Sequence, residues 1–183
     1  LATAYLASVT NPEHYKGNLA GAVKGADVLI GVSAPRLFTK EIIQSMNSQA
    51  VVFALANPVP ETTYEEAKAA GAAVAGTGRS DAPNQVNNVC VFPGIFRGAL
   101  AVRASAITEE MKVAAVKAIA GLIADDELKE DYVVPGAFDR RIVPAIAAAV
   151  AKTAMEQGIA RVQRDPEDIR KEAAERVERN WNA

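Results

Sequence analysis

Cysteine and histidine are nearly missing from this sequence. The single cysteine, Cys90, leaves no partner for an intrachain disulfide and no thiolate cluster for a metal. Such usage fits a reducing cytosol, so a cytoplasmic location is expected. The one histidine, His14, lies on an early segment that reads as exposed, and imidazole catalysis is not expected of it. No grouping of His, Asp and Glu has metal-ligand spacing. Charge of one sign is not concentrated. The net charge is −2 with acids and bases interspersed, so neither nucleic acid nor an anionic membrane is an expected partner. Apolar runs are broken by charge, glycine or proline well before the ~20 residues that span a bilayer. Residues 1–15 have no basic start and no cleavage signature, so a signal peptide is not expected. A Gly-x-Gly-x-x-Gly fingerprint is absent too: Gly76-Thr77-Gly78 lacks both the third glycine and a following helix.

What remains is a globular composition. Half of the 183 residues are hydrophobic and 23% are charged, enough for one ordinary domain with its own core. The chain opens at Leu1 without a methionine, inside what reads as the end of a helix, and a fragment or processed product is expected.

The first half alternates helix and strand. Residues 19–24 read as the last turns of a helix stopped by Gly25. The apolar run 28–32 reads as a strand buried on both faces. Thr39 caps a helix over about 40–46, with Glu41 in its first turn. A second buried strand is expected at 51–55, a helix at 62–70 stopped by Gly71, and a short strand at 73–75. This alternation with short connections predicts an α/β fold: a partial Rossmann-like parallel sheet flanked by helices. From Phe92 onward the pattern is helical. Residues 95–104 are apolar around Arg97 and Arg103, and Thr108 caps a helix to about 123. Residues 141–157 are Ala-rich and apolar over most of their circumference, which predicts burial. Pro166 opens a last helix with Glu167 and Asp168 in its first turn, carrying Ile169, Ala173, Val177 and Trp181 on one stripe. The expected division is a cofactor-domain part over 1–105 and C-terminal helices over 106–183.

In an open parallel sheet, ligands bind beyond the carboxyl ends of the strands. Two such ends carry informative residues. At Gly31-Val32-Ser33-Ala34, a glycine allows close approach to backbone and Ser33 offers a hydroxyl; a tight turn would use the same residues. At Asn57-Pro58, a carboxamide supplies donors and an acceptor without charge, or else caps the turn. A polar, glycine-bearing loop over 76–88 follows, with Arg79 and Asp81 placed to pair and Asn87 and Asn88 at its end. Cys90, in an apolar run, reads as a small core residue. The acidic run Asp125, Asp126, Glu127 reads as solvated.

Four blocks together resemble the NAD(P)-binding domain of the malic enzyme family, in its shorter bacterial and archaeal form. They are Gly25-Ala26-Asp27-Val28-Leu29-Ile30-Gly31-Val32-Ser33, Phe53-Ala54-Leu55-Ala56-Asn57-Pro58-Val59-Pro60-Glu61, Gly78-Arg79-Ser80-Asp81-Ala82-Pro83-Asn84-Gln85-Val86-Asn87-Asn88, and Phe92-Pro93-Gly94-Ile95-Phe96-Arg97-Gly98-Ala99-Leu100. The resemblance runs from about residue 9 to 161. It implies oxidative decarboxylation of (S)-malate to pyruvate and carbon dioxide with reduction of NAD or NADP. It also implies Mg²⁺ or Mn²⁺ holding the substrate and polarising its C2 oxygen. It implies cofactor contacts for Gly31, Val32, Ser33, Asn57 and Asn88, and substrate contacts for Asn57 and Asn87. The family's general-acid tyrosine, general-base lysine and acidic metal ligands have no counterpart here, and Tyr15, Lys16 and Lys24 occupy no matching position. No catalytic or metal residue is therefore assigned, and the isolated chain is expected to be inactive. Malate or pyruvate, an N-terminal catalytic domain and further copies of the chain in a homo-oligomer are the implied partners. A malolactic relative and a non-catalytic interaction module presenting the final stripe are the alternatives.

Overall fold

A computed structural model describes residues 2–181. The chain forms two compact units, Leu1–Ala75 and Gly76–Ala183. Packing thus divides it earlier than residue 105, because helix 92–101 shares a core with the later helices.

The first unit runs α1 (Ala2–Val9), α2 (Leu19–Val23), β1 (Val28–Gly31), α3 (Lys40–Gln44), β2 (Val51–Ala54) and α4 (Tyr64–Ala69); β3 (Val74–Thr77) carries the chain into the second. The strands lie in the order β1-β2-β3, and β1 pairs with β2 in parallel from Val28↔Val51 to Gly31↔Ala54. Local chemistry sets these boundaries. Thr39 accepts from the Ile42 N–H at the start of α3. Thr63 and Glu66 form a reciprocal capping box on α4. Gly25 (φ +72°) and Gly71 (φ +103°) take the left-handed backbone that ends α2 and α4. Leu29, Val52, Ala54 and Ala75 of the sheet share a core with Phe38, Ile43, Met46 and Ala67.

β1 departs from expectation. Its burial alternates, with Leu29 buried but Val28 and Ile30 more than half exposed. An unbroken apolar run predicts two covered faces, but among the described residues only the face bearing Leu29 is covered.

The second unit holds α5 (Phe92–Ala101), α6 (Glu109–Ala120), α7 (Ile142–Glu156) and α8 (Pro166–Trp181). Alanine-rich α7 is the central helix, with Ile146, Ala147, Val150, Ala151 and Ala154 fully buried against the other three. Small residues let α5 approach closely. A Cβ on Gly94 would lie 2.6 Å from the Ile146 Cβ, and one on Gly98 would lie 2.5 Å from the Ala147 carbonyl oxygen. Thr108 caps α6 through the Met111 N–H. Glu172 of α8 accepts from Arg97 of α5 (3.1 Å) and from Arg164. Ile169 and Ala173 of the final stripe are buried in this core, while Trp181 is half exposed and meets Phe138 edge-on with Arg140 over its ring. Among the described residues no helix is long and apolar enough to cross a membrane.

Candidate functional site

Parallel pairing brings the carboxyl ends of β1 and β2 to the same end of the sheet. β1 runs out into Val32 and Ser33, both exposed; β2 runs out into Ala56 and Asn57. Between the two ends sits Glu61, whose side chain is fully buried. Its Oε1 accepts from the Ser33 N–H (2.8 Å) and, at longer range, from the Ser33 hydroxyl (3.4 Å). Its Oε2 accepts from the Ala56 N–H (3.0 Å). Burial opposes ionisation, but the N–H groups of Ser33 and Ala56 outweigh it and hold the carboxyl below its ordinary range. The Glu61 carbonyl accepts in turn from the Phe38 N–H, and the Pro60 carbonyl from the Arg36 N–H.

This geometry explains Gly31. A Cβ there would lie 2.5 Å from both the Glu61 Cδ and the Phe38 ring. The glycine makes room for those two side chains, which fill the space a ligand would need for an approach from that side.

Asn57 is exposed, and its carboxamide bonds to no other described residue. It therefore does not cap the turn, and the Asn57–Pro58 peptide is cis.

In the second unit, the loop leaving β3 is held by its own polar groups. Val86 N–H donates to the Thr77 carbonyl (2.8 Å), and the Arg79 N–H to the buried Thr77 hydroxyl (3.2 Å). Arg79 pairs with Asp81 as expected (Nε–Oδ1 2.8 Å) and pulls the Asp81 carboxyl below its usual range. Asn84 is buried in the left-handed region (φ +53°), donating to the Glu130 carbonyl and accepting from the Val133 N–H, both at 2.8 Å. The two adjacent asparagines then diverge. Asn87 donates to the Gly78 carbonyl (3.0 Å) and accepts from the Val89 N–H (3.0 Å), which caps the 3₁₀ turn Asn88–Cys90. Asn88 is exposed, and its carboxamide bonds to no other described residue. Cys90 is buried and its thiol is pushed up by that burial, as suits a core residue.

Among the described residues no group of three or more His, Cys, Asp or Glu side chains could hold a metal ion. His14 and the acidic run 125–127 are exposed. The described residues alone thus do not fit a complete divalent-metal centre. In the first unit the strand ends carry the exposed Asn57 carboxamide and the Ser33 hydroxyl; in the second the loop end carries the exposed Asn88 carboxamide.

Sequence reasoning missed Glu61, although it closes the block that begins at Phe53, because a buried carboxylate reads as a surface charge. It missed Asn84 as an anchor because its partners, the Glu130 carbonyl and the Val133 N–H, lie more than 40 residues away in sequence.

Comparison with known proteins supplies the family. Residues 5–155 match the model of the malic enzyme NAD-binding domain. A bifunctional malic/malolactic enzyme of Bacillus subtilis (strain 168) is 57% identical over 164 residues, covering 90% of this chain and 40% of that protein. An NAD-dependent malic enzyme of Geobacillus stearothermophilus is 49% identical over 160 residues, covering 87% of this chain and 33% of that protein. NADP-dependent malic enzymes are also among the similar proteins. The crystal structure of a malic enzyme from Pyrococcus horikoshii Ot3 superimposes with a TM-score of 0.87 at 44% identity, over 95% of this chain and 40% of that one. The chain therefore spans well under half the length of these relatives. On this match, and on the Rossmann-type sheet with its asparagine-bearing ends, the chain belongs to the malic enzyme family, within its NAD-binding domain.

Proposed function

We propose that this chain supplies the cofactor side of a malic enzyme, which converts (S)-malate to pyruvate and carbon dioxide with reduction of NAD or NADP. The observation that carries the reading is the free carboxamide of Asn57, exposed at a strand end within a domain of this family. When bound, the dinucleotide supplies the hydride acceptor. Val32 and Ser33 lie along it, over the space Gly31 leaves to Glu61 and Phe38. Asn57 offers donors and an acceptor to the nicotinamide amide and to malate, and Asn88 does so to the cofactor. Asn87 would meet the substrate carboxylate only through its remaining N–H, the other being held by the Gly78 carbonyl. Its first role is to hold the turn that presents Asn88. Proton transfer and the Mg²⁺ or Mn²⁺ ion belong to an N-terminal catalytic domain, and a homo-oligomeric, cytoplasmic enzyme is the expected assembly.

The test is Asn57→Ala in the complete enzyme. Losing a ligand contact of ~1–3 kcal/mol should reduce kcat/KM by about fivefold to 150-fold. Unchanged kinetics would contradict the assignment. A malolactic outcome, lactate without net NADH, is the second reading, favoured by the name of the Bacillus relative. Product analysis separates the two.

A further inference from the structure

Asn57 and Ser33 act on one ligand only if the ends of two different strands keep a common position. Strand hydrogen bonds end with the register pair Gly31↔Ala54 and the Leu55 N–H bond to the Gly31 carbonyl. Beyond that point the backbone needs another restraint, and the Glu61 carboxylate is what spans the gap. Each of its oxygens takes a backbone N–H from a different strand end, Ser33 on one side and Ala56 on the other. Ala56 immediately precedes Asn57. The acid is fully buried, and among the described residues no cationic side chain is bonded to it, so the N–H groups satisfy its charge. The fold also leaves room for it, since any side chain at residue 31 would collide with the carboxyl group.

We propose that Glu61 is a positioning residue: its carboxylate clamps the two strand ends together so that Ser33 and Asn57 face the dinucleotide as one preorganised surface. The ligand half of this inference rests on the reading in the preceding subsection; the clamp itself does not. A carboxamide cannot replace the carboxylate. It has one acceptor oxygen, and its NH₂ would face a backbone N–H donor to donor.

Two measurements test the proposal. In the ¹⁵N-labelled chain, the amide protons of Ser33 and Ala56 should shift with pH around one shared midpoint, below the ordinary glutamate range. Glu66 is the nearest carboxyl lining the same pocket as Glu61, beside Arg36 and Lys40. It is bonded to Thr63 and Thr62, feels the charge of Arg36, and so reports at the Thr63 amide instead. Independent midpoints, or no titration at Ser33 and Ala56, overturn the clamp. In the complete enzyme, Glu61→Gln should raise KM for NAD(P) about tenfold, as expected for one mispositioned contact, while kcat at saturation stays within a few-fold. A folded variant with unchanged KM overturns the positioning role. If Glu61→Gln does not fold, Glu61→Asp keeps the charge but loses the reach and should shift KM in the same direction. A wild-type enzyme with no NAD(P)-dependent malate turnover sinks the functional reading instead. The shared amide midpoint then still supports the clamp, and its absence still overturns it.

Discussion

Asn87 and Asn88 have the same side chain and opposite surroundings. Asn87 spends its amide on the Gly78 carbonyl and its oxygen on the Val89 N–H, whereas the Asn88 amide faces solvent. Their substitutions should therefore fail differently. Asn87→Ala leaves the half-buried Gly78 carbonyl with only the longer bond from Gln85 (3.4 Å) and the Val89 N–H without its cap, and should lower unfolding stability by about 1 kcal/mol, readable by urea titration. Asn88→Ala should leave stability within about 0.5 kcal/mol of the parent, as at exposed sites generally, and impair turnover of the complete enzyme. The reverse pattern would mean that the capping residue has been misidentified. Nothing in an Asn-Asn dipeptide distinguishes its members, because the difference lies in where Gly78 sits. Glu61 was hidden for a related reason: acids are seldom fully buried, and its partners are backbone N–H groups of residues 33 and 56 that no side-chain pattern reveals.

At the scale of elements, local chemistry was readable. Thr39 and Thr108 each accept the N–H that a cap should accept, and Gly25 and Gly71 each take positive φ after a helix; the Thr63 cap was not read, since the helix expected over 62–70 starts only at Tyr64. The alanine-rich α7 is buried, as its nearly continuous apolar circumference predicts. The covering of β1 was not readable, because an apolar strand shows that burial is available and not which neighbours provide it. Close packing of α5 on α7 depends on two glycines in a helix, where glycine is otherwise a poor choice. Gly98→Ala should gain helix propensity but force a methyl onto the backbone of Ala147, which no rotamer change relieves. We expect a net loss of about 1–2 kcal/mol. Gly136→Ala, with nothing within 4 Å of its new methyl, should be nearly neutral. Equal effects in thermal unfolding would argue against the close α5–α7 contact.

For the molecule as a whole, the carboxyl groups that depart from ordinary behaviour depart in one direction. Glu41, Glu61, Glu66, Asp81, Glu110, Asp139 and Glu172 are all held below their usual range by hydrogen bonds and ion pairs. A carboxyl with a depressed folded-state pKa stabilises the fold above its unfolded pKa and loses that stabilisation as pH falls through the folded value. Stability of the chain should accordingly be flat from about pH 7 to 5 and fall below about pH 4, where Asp and Glu of the unfolded chain take up protons. Urea midpoints across that range check it; a decline beginning near pH 6 would point to another titrating group. The isolated chain, whose described residues form no metal-ligand group, should not turn over malate with Mn²⁺ and NAD(P). The most direct test of the account uses the complete protein with (S)-malate, Mn²⁺ and either NAD or NADP, following both products. Pyruvate and reduced dinucleotide formed in equal amounts is the predicted result; no malate consumption with either nucleotide would contradict it.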